Sequence, residues 1–219
     1  MNLIRIDDYL DVIDKNILHF KEIENICHKC GEPVEGNCFY EHVTFNKSFD
    51  LITKQMNHFI LGKNHFNIAE IGFNAGHSSL LYLLSNPENK LTIFDICEHR
   101  YTIPCFEYLQ KKFPNRLKMF VGNSTDTIPD FQRNNPGIKF DLIHIDGCHH
   151  KSVANEDFLN CKKMASDIIV FDDTHDKNLN DLFEEYLKLN LISEVHLYRT
   201  KLYEHRIGKI WFLVDHSLE

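Results

Sequence analysis

Two stretches of this chain end abruptly in groups that do chemistry. Phe140 to His150 reads Phe-Asp-Leu-Ile-His-Ile-Asp-Gly-Cys-His-His, and Asp167 to His175 reads Asp-Ile-Ile-Val-Phe-Asp-Asp-Thr-His. Each is a short apolar run that stops in carboxylate and imidazole. Buried strands of open α/β sheets deliver polar side chains to a site at their C-terminal ends in this way. Two such strands side by side would bring Asp146, Asp172 and Asp173 together. Converging carboxylates repel one another unless a cation sits among them, so the spacing points to a bound metal. A hard cation can coordinate a hydroxyl oxygen and lower its pKa, and a nearby imidazole can then take the proton.

A third feature lies upstream, where Ile68-Ala69 leads into Glu70-Ile71-Gly72-Phe73-Asn74-Ala75-Gly76-His77-Ser78-Ser79. A strand that runs into a glycine turn and then a helix lets a ligand approach the backbone closely. The next apolar run ends in Phe94-Asp95. An acidic residue about 20 residues beyond the turn is placed to accept hydrogen bonds from ribose hydroxyls. The run after that ends in Gly122-Asn123-Ser124, small polar groups able to meet an adenine edge. A dinucleotide site would need G-x-G-x-x-G, which Phe73-Asn74-Ala75 does not supply.

These segments need elements to hold them. Ile6, Tyr9, Leu10, Ile13, Ile17, Leu18, Phe20 and Ile23 recur at helical spacing, so residues 6–26 read as an amphipathic helix interrupted at most once. Cys27-His28-Lys29-Cys30-Gly31-Glu32-Pro33 then reads as turn or loop. A helix over 47–62 would present Phe49, Ile52, Met56, Phe59 and Ile60. From residue 67 short apolar runs alternate with helical stretches: 68–71, 91–94, 117–121, 140–145 and 168–171, followed by 192–198 and 209–214. This rhythm predicts an α/β fold with a mostly parallel seven-stranded sheet and helices on both faces. The last two runs lack a helix-length connection and should pair antiparallel. Residues 1–62 read as a helical cap or lid and 63–219 as the sheet domain, together forming one core.

Glu70-x-Gly72-x-x-x-Gly76-x-Ser78, then Asp95, then Gly122-Asn123-Ser124, resembles the S-adenosylmethionine site of Rossmann-like class I methyltransferases. The resemblance covers roughly residues 65–215. It implies that Glu70, Gly72, Asn74, Gly76 and Ser78 line the methionine end, that Asp95 holds the ribose, and that Asn123 and Ser124 sit near the adenine. The commonest form of the motif has glycine where Asn74 stands. Asp146-x-x-His149 after one strand and Asp172-Asp173 after the next resemble metal-dependent sugar O-methyltransferases of the macrocin and mycinamicin type. That likeness implies Mg²⁺ or another divalent cation on Asp146, Asp172 and Asp173. It also implies His149 as general base, Asp146 serving both cofactor and catalysis, and a sugar or nucleotide sugar as acceptor.

Each residue also has a plainer reading. Asp141 would begin its strand, His144 would pack in the core, and His150 would cap the next helix near Ser152. Asp172 and Asp173 would serve as helix N-caps, and His175 as a contact to the ligands or the substrate. Cys27-x-x-Cys30 with Cys38 and His42 has the spacing of a small zinc knuckle, although the second half lacks a paired motif. Phe39, Tyr40 and His42 would otherwise form a lid over the substrate, and Phe39, Tyr40 and Trp211 could serve a homo-oligomer interface.

The whole-chain numbers bound the function. At 219 residues, 43% hydrophobic and 26% charged, the chain has the makings of one globular domain. A net charge of -8 with no basic run argues against nucleic acid as partner. No apolar stretch spans a bilayer and no signal peptide opens the sequence, so a membrane is not expected. Seven cysteines, an odd number spread along the chain, suit the cytoplasm or a host's cytoplasm. Two competing functions stay open. One is a metal-independent methyltransferase acting on nitrogen, although the Asn/Asp-Pro-Pro-aromatic motif of amino-methyltransferases is missing at Asp146-Gly147-Cys148-His149. The other is a noncatalytic binding subunit that has kept the fold.

Overall fold

The structure is a computed structural model that describes residues 4–36, 39–41, 44–45, 48–198 and 205–211. The chain opens with one unbroken helix, α1 (Ile6–Cys30). Tyr9, Ile13, Phe20, Ile23 and Cys27 are its buried stripe, while Leu18 faces solvent. Each such buried apolar side chain contributes about 1.5–3 kcal/mol. The helix runs four residues beyond the expected end. Cys27 to Cys30 form its last turn, and Gly31 stops it in the left-handed conformation that closes helices. A short hairpin, β1 (Tyr40–Glu41) and β2 (Thr44–Phe45), precedes α2 (Phe49–Asn64).

The rest alternates strand and helix: β3 (Asn67–Ile71), α3 (His77–Ser85), β4 (Lys90–Asp95), α4 (Thr102–Lys112), β5 (Leu117–Val121), α5 (Ser124–Asn134), β6 (Phe140–Ile145), α6 (Lys151–Met164), β7 (Ala165–Phe171) and α7 (Lys177–Lys188). It closes with β8 (Ile192–Val195) and β9 (Arg206–Ile210). The main sheet has seven strands in the order β5-β4-β3-β6-β7-β9-β8, and only β9 runs antiparallel to its neighbours. The final strand begins three residues earlier than its apolar run suggested, and residues 212–219 lie outside the described part.

Side chains alternate between the two faces of this sheet. Ala69, Ile71, Ile143, Ile145, Ile169 and Phe171 pack with Phe131 of α5, Phe158 of α6 and Phe183 of α7. Ile68, Leu142, Ile168, Val170 and Ile207 pack with residues of α1, α2, α3 and α4. Period two therefore sends Glu70, His144, Asp172 and His205 to this second face, beneath α2 and α3. The strand ends are level. Ile71 pairs with Phe94 and Ile145, and Ile145 pairs with Phe171. The ladder continues one step further, with Asp146 donating its N–H to the Ile71 carbonyl and Asp172 to that of Ile145. Gly72, Asp95, Asp146 and Asp172 thus leave the sheet at one edge. Among the described residues, no helix is long and apolar enough to cross a membrane.

Candidate active site

A cleft of about 1790 Å³ opens at that edge. Gly72, Asn74, Asp95, Gly122, Asn123 and Ser124 line one half, and Asp146, Cys148, His149, Asp173 and His175 line the other. The last turns of α1 and the segment 31–36 form a wall, and Lys54 of α2 reaches the floor.

The glycine turn needs its residue types. Gly72 has φ +88°, and a Cβ there would collide with the Asp146 backbone. Asn74 stands where the common motif has glycine, and at φ 54° it occupies the left-handed region that asparagine tolerates. Its Nδ2 donates to the Glu35 carbonyl at 3.0 Å, which ties the turn to the wall. Asp95 is held by backbone N–H groups: Phe73 and Asn74 donate to Oδ2 at 2.6 and 3.0 Å, and Cys97 donates to Oδ1 at 2.6 Å.

Three residues expected at the methionine end do not line the cleft. Glu70 is fully buried by the strand alternation, and it accepts from the Ser78 and Ser79 hydroxyls. Gly76 packs against the Phe73 ring and begins α3. These residues build the turn from beneath.

At the opposite end, Asp146, His149 and Asp173 each offer a ligand atom, all within 4.8 Å of one another. His149 Nε2 lies 2.8 Å from Asp173 Oδ2, and His175 Nδ1 lies 3.6 Å from Asp173 Oδ1. The hydrogen bond to Asp173 raises the His149 pKa above its ordinary value. Burial, together with the charge of Asp172, pushes Asp146 up to about 8. Asp173 has φ 51°, in the left-handed region, while the alternation of β7 carries its neighbour Asp172 to the buried second face.

Asp172 is therefore not part of the converging set that the sequence suggested. Its Oδ1 faces Lys54 Nζ at 2.7 Å and accepts from the Asp173 N–H, and its Oδ2 lies 3.2 Å from His144 Nε2. Although burial opposes ionisation, the Lys54 and His144 charges hold its carboxyl well below the usual range. Burial would lower the pKa of His144, but the bonds to Asp172 and Glu70 carry it to about 10.

Neither aspartate caps α7. Asp176 does, accepting from the Asn178 and Leu179 N–H groups. Asp141 accepts from the N–H groups of Phe66 and Asn67, and His150 precedes α6 with its ring bonded to Ser152. Cys27 Sγ contacts Cys105 Sγ at 3.8 Å and Cys30 donates to the Arg100 carbonyl, while Cys38 and His42 lie outside the described residues. Phe39 is no lid: it is buried and stacked on Phe20 and His77. The sequence reading missed Lys54, whose helical position gave no signal of the aspartate beneath it. It also missed the wall residues Glu32 and Glu35, paired with His99 at 2.6 and 3.2 Å.

Residues 69–174, from β3 to the loop after β7, match a family described as a methyltransferase domain. The stretch that matches, 106 of the 219 residues, resembles a methyltransferase domain. No curated protein matches it. Solved structures similar to this chain include the O-methyltransferase from Bacillus cereus in complex with SAH, at 15% identity and TM-score 0.64 over 88% of this chain and 90% of that one. CalS11, a TDP-rhamnose 3′-O-methyltransferase of calicheamicin biosynthesis, aligns at 14% identity and TM-score 0.61 over 85% and 93%. The N-methyltransferase NodS from Bradyrhizobium japonicum aligns at 13% identity and TM-score 0.56 over 88% and 98%. At these identities the likeness shows the fold, and oxygen and nitrogen acceptors share it. The acceptor has to be argued from the site.

Proposed function

We propose that this chain is an S-adenosylmethionine-dependent O-methyltransferase that methylates a hydroxyl of a small molecule, a sugar or nucleotide sugar, with help from a divalent cation. The observation that carries the reading is the meeting of Asp146, His149 and Asp173 at the end of the cleft that the glycine turn opens. The CalS11 likeness supports a sugar acceptor.

The cleft suits the cofactor. Gly72 and Asn74 of the turn and Asp95 beyond β4 line one side of it, and Asn123 and Ser124 offer polar groups at the far end. Asp146 and Asp173 suit a divalent cation by charge, because a carboxylate raised to about 8 beside a second one is a place where positive charge is missing. When bound, the sulfonium cofactor supplies the methyl group, and the cation lowers the pKa of the acceptor hydroxyl.

The chain's own residues do the remaining work. Asp173 orients the His149 ring by holding Nε2, which leaves His149 placed to accept the hydroxyl proton. Lys54 neutralises Asp172 and so limits the negative charge that Asp146 meets. The wall from α1 and residues 31–36 narrows the access of water to the cleft.

The test is a methyl-transfer assay with labelled S-adenosylmethionine over a panel of nucleotide sugars and free glycosides, before and after chelation. Methylation of a sugar hydroxyl that chelator stops and Mg²⁺ restores is the expected result. Full turnover in chelator, or transfer to amines alone, would overturn the reading.

A further inference from the structure

The buried side of the sheet holds a second convergence of ligand-type groups. His58 of α2, His144 of β6 and Asp172 beyond β7 each present a ligand atom, all within 4.8 Å of one another, and all three side chains are buried. Two ring nitrogens face one oxygen: His144 Nε2 is 3.2 Å and His58 Nε2 is 3.8 Å from Asp172 Oδ2. The longer gap is beyond hydrogen-bond reach. Both suit ligands sharing one ion, because tetrahedral bonds of about 2.1 Å place neighbouring donors roughly 3.4 Å apart.

The atoms pointing away from this centre are already held. His58 Nδ1 is bonded to the Tyr82 hydroxyl at 2.9 Å, and His144 Nδ1 faces Glu70 Oε1 at 3.2 Å. Asp172 Oδ1 is held by Lys54 and by the Asp173 N–H. A carboxylate or hydroxyl behind each imidazole is the support that fixes a ligating histidine in its tautomer. A separate observation comes from His205, whose ring lies 4.9 Å from that of His58. The Asn57 amide is fixed by the Tyr198 backbone, donating to its carbonyl and accepting from its N–H, and it also donates to His205 Nε2. His205 Nδ1 must then carry the proton, yet this buried atom has no hydrogen-bond partner among the described residues. It is a donor suited to a water in the fourth position of a metal.

We infer that His58, His144 and Asp172 form a buried site for a transition-metal ion of the zinc class, distinct from the cation position in the cleft. Imidazole donors select Zn²⁺, Co²⁺ or Ni²⁺ over Mg²⁺, which prefers oxygen. The ion takes the place of the proton that His144 otherwise shares with Asp172, and it links α2 to the two central strands β6 and β7. Its role is to lock the floor on which Asp173 stands.

The test uses the full chain, free of any affinity tag, titrated with Co²⁺ in excess Mg²⁺. The readouts are bound metal after dialysis and the visible absorption of low-symmetry Co²⁺. The expected result is one tightly held Co²⁺ per chain. It should persist in an Asp146→Asn/Asp173→Asn double variant and weaken roughly 100-fold or more in His58→Gln and His144→Gln. Circular dichroism identifies a variant that fails to fold, and the wild-type titration decides the matter without it. No retained Co²⁺ in the wild type, or retention lost in the double variant and kept in His58→Gln, would overturn the site.

Discussion

Asp146 and Asp172 end adjacent strands, and their surroundings push them in opposite directions. Asp146 has its pKa raised to about 8 by burial and by the charge of Asp172. Folding therefore takes up a proton there, and the penalty for ionising it grows as pH rises from the ordinary carboxylate range to about 8. Asp146→Asn should raise the melting temperature of the metal-free chain, by little at pH 5 and most at pH 8 and above. Mg²⁺ should shrink that difference by stabilising the wild type more than the variant. Asp172 is depressed, so its contribution is present above the ordinary carboxylate range and lost in acid, while His144 contributes below its ordinary value and fades as pH climbs through about 10. His149→Ala should lower kcat by about 10²–10⁴ with the affinity for S-adenosylhomocysteine nearly unchanged. Because Asp173 keeps His149 protonated to higher pH, the rising limb of kcat against pH should lie above the ordinary histidine value. Asp173→Asn should move that limb down, and an unmoved limb would show that another group titrates.

Among the elements, those following the glycine turn were legible because each strand is an uninterrupted apolar run bounded by polar turns. The side-chain directions were partly legible too. Alternation along Leu142, Ile143, His144 and Ile145 already puts His144 opposite Ile143 and Ile145, which is where it lies. Three things escaped. The alternation of β7 continues past its end and sends Asp172 to the buried face, away from Asp146 and His149, where Asp173 stays with a left-handed φ that no spacing rule announces. Gly31 and Pro33 made Cys27-x-x-Cys30 look like loop, although the same glycine serves as the cap of a longer helix. On α2, Lys54 and His58 sit one turn apart on the face toward the sheet, where a charge looks out of place until Asp172 is known to lie below. The turn yields a direct test. Gly72→Ala adds a Cβ against the Asp146 backbone at a φ that alanine avoids, so the fold should lose about 1–3 kcal/mol or more in urea unfolding. Binding of S-adenosylhomocysteine should weaken with it, and an alanine variant of wild-type stability would contradict the packing described here.

At the scale of the molecule, the sheet domain and the N-terminal helices share one core, with α1 and α2 contributing to the same buried cluster as β3, β6 and β7. A ligand that binds only the folded chain must then stabilise all of it. Saturation with S-adenosylhomocysteine at 100 times its Kd adds about 2.7 kcal/mol, or roughly 5–10 °C in Tm for a chain of this size. A flat thermal-shift curve would count against the cofactor cleft.

The wall of the cleft has one more bearing on how such a protein turns over. Its ties to the sheet domain run through Glu32 and Glu35 to His99, and from Asn74 to the Glu35 carbonyl, near the surface. Added salt weakens partly exposed charge pairs of this kind, while the deeper groups around Asp172 feel it far less. Raising ionic strength should therefore hasten departure of the spent nucleoside and leave the transfer step itself at its former pace.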